Sequence, residues 1–497
     1  MGVVIKQSFW STAIAYLGVL VGFVNTLYLR PEYFLLDEIG LFGIITANAM
    51  MISPFTTFGM SSSYIKFFPL FTEKDRNSTF TFQFLIVIAG CTLVMVIGYL
   101  LKDVIKQRYL ESAPTYVNYL AITAIIIVVN SLFDMFFSYS RTTLKVLFPS
   151  FLRDVLLRIG AIVLVVGYAL NWFSFEWAVK GLAINYTFIL IALFGKLMIF
   201  DGFRFKFRFS LLSSDWKKRL FYFSTYSMLL AGSFAVMNNA TYDFVTSMLG
   251  ASANGIFVTC FFIGTIVEMP RRNMAKVISP ILSTELENQN MQEVESLYKR
   301  SSITMSILGV LIFIGIVTNL QDLFLFIPKG SEFKAGLYVV ILVCTAKLAT
   351  MISSFPGEII NYSHLYRYNL IFQLGTAILL IFLNYFMIPI WGLEGAAFSY
   401  FLAIIIHIIV KIVYVKYHFK IHPFIKKHFT LLFISIAVFW LAYFFNLDLH
   451  PSIVIAIRSI LTTIIFILLI YLFRISPDIN KIIHFTFERF LKINLPK

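Results

Sequence analysis

The chain of 497 residues is 59% hydrophobic and only 13% charged, and its mean hydropathy is +0.85. A soluble globular protein has about half apolar and about a quarter charged residues, so this composition excludes a soluble protein and predicts a multi-pass membrane protein. The net charge of +15 is spread over the short loops between apolar segments, as in membrane proteins, and no nucleic-acid partner is expected.

Apolar segments follow one another along the chain, each about long enough to cross a ~30 Å bilayer core as a helix. They are continuously apolar rather than alternating, which favours helices over barrel strands. The fourteen predicted spans are 8–29, 40–66, 80–101, 116–140, 153–171, 178–200, 219–247, 254–274, 302–320, 335–360, 369–388, 394–415, 429–445 and 452–473. The longest gap, 275–301, predicts a short amphipathic surface helix. The fold class is therefore an all-α polytopic membrane protein.

The loop charges predict the orientation of the chain. With a cytoplasmic N-terminus, 29 lysine and arginine residues fall in the cytoplasmic loops or at the adjoining ends of spans, and 6 fall in the opposite loops. Cytoplasmic loops of membrane proteins carry this excess of positive charge, so both termini are predicted to be cytoplasmic.

The chain repeats itself at a spacing of about 215 residues. The matching pairs are Gly40 with Gly255, Gly181 with Gly395, Tyr186 with Tyr400, Pro54 with Pro270, and Asn25 with Asn239. An offset of six spans relates the halves in parallel, which is a known transporter plan with a substrate site between repeats. The predicted division is an N-lobe at 1–203, a C-lobe at 204–420, two appended spans at 421–474 and a basic cytoplasmic tail at 475–497.

Small and polar residues form stripes on the first and seventh spans, which end at Asn25 and at Asn238 with Asn239. Such a stripe is typical of close helix packing, and its asparagine end also suits a cavity wall. Both interpretations stay open.

Charged residues inside spans are the sharpest functional signal, because each costs about 2.5–3.5 kcal/mol at the helix centre. Lys347 and Glu358 lie on one face of the tenth span, about three turns apart. Asp134 in the fourth span stands before a Tyr-Ser pair, as Glu358 does. Carboxylates at matching sites of both halves suggest cation or proton coupling.

Further charges lie near the ends of spans. Asp243 is late in the seventh span, and Glu268 precedes Pro270, Arg271 and Arg272 in the eighth. Simpler interpretations stay open for each: a local ion pair of Glu268 with the arginines, and an Asp243 that reaches toward the membrane interface.

Two isolated polar residues are interpreted conservatively. Arg458 is expected to reach toward the interface, and His407 is expected to be a histidine whose hydrogen bonds are satisfied within the helix bundle.

The chain has no phosphate-binding loop of an ATP motor and no hydrolase or zinc motif. We therefore expect no catalytic site, bound cofactor or metal, and a transporter driven by a proton or sodium gradient or by its substrate gradient.

The opening segment resembles a known family. The matching stretches are KQSFWST at 6–12, YLG at 16–18, GFVNT at 22–26, DEIGL at 37–41, PF at 54–55, FGM at 58–60, KFFP at 66–69, YSR at 139–141 and FPSFLRDVLLR at 148–158. They are similar to bacterial polysaccharide biosynthesis proteins of the oligosaccharide flippase type, in the multidrug/oligosaccharidyl-lipid/polysaccharide (MOP) exporter superfamily.

The resemblance implies two six-helix lobes around a central, typically cationic cavity, with two appended C-terminal helices. It implies movement of undecaprenyl-diphosphate-linked oligosaccharides from the inner to the outer leaflet of the bacterial cytoplasmic membrane by alternating access, for O-antigen, capsule or exopolysaccharide synthesis. Membrane lipids, a polysaccharide polymerase and glycosyltransferases are the partners it implies.

Carried onto this chain, the resemblance nominates two sets of residues. The substrate candidates are Asn25, Lys66, Asn238, Asn239, Arg271, Arg272 and Lys347, and the ion-coupling candidates are Asp134, Asp243, Glu268 and Glu358. Few cations lie at mid-membrane depth, which departs from a strongly cationic cavity and favours a diphosphate site near the cytoplasmic mouth. The alternatives are a drug or cation antiporter of the same superfamily, a membrane polymerase or glycosyltransferase, and a peptidoglycan-precursor flippase.

Overall fold

A computed structural model describes residues 2–207, 214–445 and 447–480, and these form helices with no strand among them. Twelve helical stretches of this part are long and apolar enough to cross a membrane. The number becomes fourteen because Tyr366–Phe419 holds two helices divided by the non-helical Gly392, and because the interrupted Leu147–Ala169 stretch joins shorter pieces. The predicted fold class is confirmed.

We number the spans α1 to α14. They are α1 (Gly2–Val24 with Asn25–Leu29 and Arg30–Tyr33), α2 (Leu36–Thr56 with Met60–Phe67), α3 (Glu73–Leu100), α4 (Leu120–Thr142), α5 (Leu147–Phe151, Leu152–Leu156 and Leu157–Ala169), α6 (Phe175–Ile199), α7 (Ser214–Leu249), α8 (Ala251–Thr265, Ile266–Glu268 and Met269–Glu287), α9 (Met291–Thr318), α10 (Leu337–Ser353 with Pro356–Tyr362), α11 and α12 (Tyr366–Phe419, before and after Gly392), α13 (Lys427–Phe444) and α14 (Pro451–Leu472). Short helices at Lys102–Leu110, Pro114–Val117, Leu320–Phe326 and Gly330–Phe333 connect them.

Several spans are interrupted where the sequence cannot continue an ordinary α-helix. The second piece of α2 begins at Met60, directly after Gly59. The φ of +67° at Gly59 suits glycine, and a side chain there would overlap the Ser224 carbonyl. In α8 a 3₁₀ turn precedes Pro270, which stands in the first turn of the next piece, where proline is tolerated. Asn25–Leu29 in α1 and Leu152–Leu156 in α5 are π-helical turns, a form that recurs at functional sites.

Two compact units group the helices by contact: Met1–Thr259 with Gln373–Ala396, and Cys260–Phe372 with Ala397–Lys497. The predicted lobes at 1–203 and 204–420 follow the internal repeat instead, and that division stays a prediction. Most of the predicted basic tail, residues 481–497, lies outside the described residues.

The first unit contains a contact between repeat-related positions. A Cβ atom at Gly40 would overlap the Ala251 carbonyl, and one at Gly255 would overlap the Leu36 carbonyl. Leu36 and Ala251 are 215 residues apart, as are the two glycines, so the contact is reciprocal. Asn254 adds a hydrogen bond from its Nδ2 to the Gly40 carbonyl at 2.9 Å. Backbones this close require residues without side chains.

The connection after α6 is attached to the first unit. Phe203 is fully buried against Phe80 and Tyr139, with ring centroids 5.1 and 4.9 Å away. Asp201 pairs with Lys145 and Lys196 at 2.6 and 2.9 Å. Burial opposes ionisation of this carboxyl, but the lysine hydrogen bonds outweigh burial and lower the pKa of Asp201.

In the second unit, α14 is held by Arg458, which is buried rather than extended to an interface as the sequence suggested. Its Nη1 donates to Asp322 at 2.5 Å and to Asn319 at 3.0 Å, and its Nε donates to the Phe445 carbonyl at 3.1 Å.

The predicted surface helix at 275–301 is wrong. The second piece of α8 continues to Glu287 and α9 begins at Met291, so two long helices meet in a short turn.

Candidate functional site

The second unit brings five of the predicted site residues together. Lys347 in α10 has a side chain only 5% exposed, and its Nζ lies 2.7 Å from Oε2 of Glu268 in α8. The Tyr400 ring lies 5.4 Å from the same Nζ. A mid-span lysine therefore has a specific carboxylate partner, which is the usual way a membrane protein accommodates such a charge.

Arg271 connects this pair to Glu358. Its Nη2 lies 3.1 Å from both carboxylate oxygens of Glu358, and its Nη1 lies 3.6 Å from Glu268. Arg272 is more exposed and approaches Glu268 at 3.7 Å. The local-pair interpretation of Glu268 with its arginines is thus present but secondary, since the contact with Lys347 is much shorter.

The break in α10 explains why Arg271 lies where it does. Leu337–Ser353 ends at Ser354, whose φ of 60° and ψ of −112° leave the helix, and Pro356 starts the next piece. Interrupted helices leave carbonyl groups that must be satisfied inside the protein. The Ser354 carbonyl accepts a 2.7 Å hydrogen bond from Arg271 Nε, and the Ile352 carbonyl accepts one from Ser302.

Lys411 of α12 also belongs to this region, although it is not among the predicted site residues. It is 8% exposed, and its Nζ would lie 3.0 Å from a Cβ at Gly357, beside Glu358. The region thus holds four cations, Arg271, Arg272, Lys347 and Lys411, around the two carboxylates Glu268 and Glu358. The signal for Lys411 was its place inside the predicted twelfth span.

Asp243 of α7 has a network in the first unit. Arg108 lies 2.5 Å from its Oδ2, and the Tyr109 hydroxyl donates to its Oδ1. Burial, together with the Asp243 charge, raises the pKa of Tyr109, which therefore stays protonated as a donor. With its side chain 12% exposed, Asp243 is paired rather than extended toward water.

A cavity of about 520 Å³ adjoins this network. Its lining includes Asn48, Arg108, Tyr109, Tyr116 and Asp243. The Asn48 Nδ2 donates to the Tyr116 hydroxyl at 3.0 Å. The lining is mainly apolar, with a carboxylate, a guanidinium and several hydroxyl and amide groups among its residues. Arg108 and Tyr109 were missed because they stand in a loop of the sequence prediction.

Asp134 of α4 pairs with Arg153 at 2.6 Å, and both side chains are about 30% exposed. Arg153 lies in the π-helical turn of α5, at the first residue of the predicted fifth span. Asp134 belongs to the first unit and Glu358 to the second, so each half carries an Asp or Glu paired with arginine.

The remaining substrate candidates are polar but not clustered with these charges. Asn238 and Asn239 donate to the carbonyls of Phe234 and Ala235 at 2.7 and 2.9 Å, one turn earlier in α7. Lys66 is exposed, with its Nζ 3.8 Å from the Phe223 ring centroid. Asn25 lies buried in the π-helical turn of α1, and its Oδ1 has no hydrogen-bond partner in the part of the chain that the structure describes.

The small-residue stripe on α1 packs closely on α5. A Cβ at Gly18 would overlap the Asp154 carbonyl, and one at Gly22 would lie 2.7 Å from Arg158 Nη1. The packing interpretation therefore accounts for these two glycines.

Solved structures share this fold, although no family model and no curated protein matches the chain. The lipid II flippase MurJ in its inward closed conformation has a TM-score of 0.77, with 12% identity over 94% of this chain and 98% of that one. An inward-facing multidrug resistance MATE family transporter of the MOP superfamily has a TM-score of 0.64, with 14% identity over 82% of this chain and 94% of that one.

An outward-facing MATE family transporter of the same superfamily has a TM-score of 0.58, with 13% identity over 84% of this chain and 95% of that one. The chain therefore has the fold found in MOP superfamily transporters and is a multi-pass membrane protein. At these identities the likeness concerns the fold alone.

Proposed function

We propose that this protein is a flippase that moves diphosphate-linked oligosaccharides on an undecaprenyl carrier from the inner to the outer leaflet of a bacterial cytoplasmic membrane. The observation that carries the proposal is the charge cluster of the second unit, where four cations surround two carboxylates. A diphosphate and a polar glycan cannot cross hydrocarbon unaided, while the lipid tail can stay in it. Arginine and lysine are the natural partners of a diphosphate.

The paired charges also suit an ion-coupled cycle. Asp134, Asp243, Glu268 and Glu358 are each held by a cation, and a proton or sodium ion would compete with that cation for the carboxylate. When the proton or sodium ion takes the carboxylate, the paired lysine or arginine would be free to bind substrate. The same step would shift the equilibrium between the conformations of the alternating-access cycle. A polysaccharide polymerase and glycosyltransferases would be the functional partners, and both termini would be cytoplasmic.

The test uses cells that lack the protein, restored with wild type, Lys347→Ala or the control Lys416→Ala. Lys416 lies on the same helix as Lys411 but is exposed. Surface polysaccharide and the leaflet location of the undecaprenyl-linked unit are measured, with protein levels matched. The proposal predicts units trapped in the inner leaflet without the protein, rescue by wild type and Lys416→Ala, and failure of Lys347→Ala.

A second candidate is a drug or cation antiporter of the same superfamily. The cavity beside Asp243, with its carboxylate and aromatic lining, is the observation that favours it. Export of a cationic dye that depends on an ion gradient, together with a normal leaflet distribution of the lipid-linked units, would establish this function in place of the flippase.

A further inference from the structure

Lys411 is exceptional among the buried cations of the described residues. Three lysine or arginine residues are almost fully buried there: Lys347 at 4%, Arg458 at 4% and Lys411 at 8% exposed. Lys347 has Glu268 and Arg458 has Asp322 as a salt-bridge partner, but Lys411 has no such partner within 4 Å. An unpaired buried charge is costly, so this position needs an explanation beyond packing.

The Lys411 ammonium is directed at the break in α10. A Cβ at Gly357 would lie only 3.0 Å from Nζ, so the absence of a side chain at this position leaves room for the ammonium. Glu358 is the next residue, and Arg271 already holds both of its oxygens at 3.1 Å. Arg271 thus engages the Glu358 carboxylate, while the Lys411 ammonium lies beside the same helical piece without a salt bridge to it.

The broken helix that carries Glu358 is under local strain. Ser354 has φ 60° and ψ −112°, a region that is costly for residues with side chains. Contacts from outside α10 maintain this conformation: Arg271 Nε binds the Ser354 carbonyl at 2.7 Å, and the hydroxyls of Ser301 and Ser354 lie 2.8 Å apart. Arg271 therefore holds both the backbone at the break and the Glu358 carboxylate.

We propose that Lys411 and Arg271 form an anion subsite at this break, that Glu358 occupies it when no anion is present, and that a diphosphate group displaces Glu358 and releases the Pro356–Tyr362 segment. The inference rests on the proposed function and names the residues that receive the substrate anion. A diphosphate offers more negative charge and more acceptor oxygens than one carboxylate, so it competes for the guanidinium and satisfies the unpaired ammonium. Release of this segment also relieves the strain at Ser354.

Binding of inorganic pyrophosphate and of farnesyl diphosphate to the purified full chain in detergent tests the subsite. Lys411→Gln is expected to weaken binding about tenfold, since a hydrogen bond to a charged group is lost. Glu358→Gln is expected to tighten binding, because the internal competitor is gone, and Lys416→Gln serves as the charge-matched control without effect. Unchanged binding in Lys411→Gln would overturn the proposal.

A variant at Ser354 tests whether the Pro356–Tyr362 segment is released when the anion binds. Ser354→Gly removes the strain but keeps the break, so it favours the anion-free state and is expected to weaken pyrophosphate binding about fivefold. Ser354→Ala controls for the lost hydroxyl and keeps the strain. If wild type and Ser354→Gly bind pyrophosphate with equal affinity, the anion site is rigid. That result would overturn the release of the Pro356–Tyr362 segment.

Comparison of the two probes distinguishes a lipid-linked phosphate from a free phosphate compound. Together with the translocation of lipid-linked units, it also distinguishes failure of the subsite from failure of the flippase function. Tighter binding of farnesyl diphosphate than of pyrophosphate points to a lipid carrier, whereas equal or weaker binding points to a free phosphate compound. If wild type binds neither probe but still translocates lipid-linked units, the subsite is wrong and the flippase function stands. If both probes bind through Lys411 but the units reach the outer leaflet without the protein, the function is wrong and the subsite stands.

Discussion

Among the described residues, Glu268 has three cations within 4 Å, whereas Lys347 has only Glu268 as a carboxylate partner. Removal of one member of a buried pair leaves the other charge uncompensated, at a cost of about 3 kcal/mol or more. We expect Glu268→Gln to lower the free energy of unfolding by about 3 kcal/mol and Lys347→Met to lower it less, because Glu268 keeps its arginines. Adding Lys347→Met to Glu268→Gln should restore part of the loss.

Thermal unfolding in detergent measures this asymmetry. The three cysteines, Cys91, Cys260 and Cys344, are buried in the folded protein, so a thiol-reactive dye reports their exposure. If Glu268→Gln and Lys347→Met lower the unfolding midpoint equally, the two arginines do not compensate the Glu268 charge when Lys347 is removed. That result would contradict the expected asymmetry.

Asp201 gives a pH-dependent contribution to stability. Because its folded pKa lies below the ordinary value of 3.8, its ionised form stabilises the folded state above that value, and the contribution is lost as the pH falls through the folded pKa. We expect the difference in unfolding midpoint between wild type and Asp201→Asn to be largest near neutral pH and to shrink below about pH 3.8. A constant difference across this range would contradict the lysine pairing.

At the scale of elements, the reciprocal contact between α2 and α8 depends on two glycines. Gly40→Ala would force a methyl group into the Ala251 carbonyl, and a backbone atom cannot move aside as a flexible side chain can. We expect Gly40→Ala to lower the free energy of unfolding by about 2 kcal/mol or more. Gly98→Ala is the matched control, since nothing lies within 4 Å of a Cβ there, and better helix propensity makes it neutral or stabilising.

The same dye assay compares these two variants. Equal midpoints for Gly40→Ala and Gly98→Ala would show that the repeat-related contact is not formed. A lower midpoint for Gly40→Ala alone would support the equivalence of positions 40 and 255 that the spacing predicts.

Span positions follow from hydrophobicity, so most helices could be predicted from the sequence, and the repeated pair Pro54 and Pro270 lies close to breaks in α2 and α8. Ion-pair partners could not, because they depend on which helix faces meet in space. Lys347 with Glu268 joins residues 79 positions apart, and Asp243 with Arg108 joins residues 135 positions apart. Lys411 and Arg153 lie within predicted spans, but the sequence does not show that Lys411 approaches Gly357 or that Arg153 pairs with Asp134.

For the whole molecule, the superfamily fold could be recognised from short motifs in α1, α2 and α5, and the structural likeness to MurJ and MATE family transporters confirms it. The fold alone does not identify the substrate. MurJ and the MATE transporters share this fold but are named for different substrates, so the choice between them rests on side chains such as Lys347, Arg271 and Lys411.

The most direct measurement is the transbilayer movement of a fluorescent polyprenyl-diphosphate oligosaccharide in proteoliposomes that contain the purified full chain. A flippase is expected to give movement to the opposite leaflet that depends on the protein, is lost with Lys347→Ala and persists with Lys416→Ala. The same rate in protein-free vesicles and in vesicles with the wild-type chain would rule out this function.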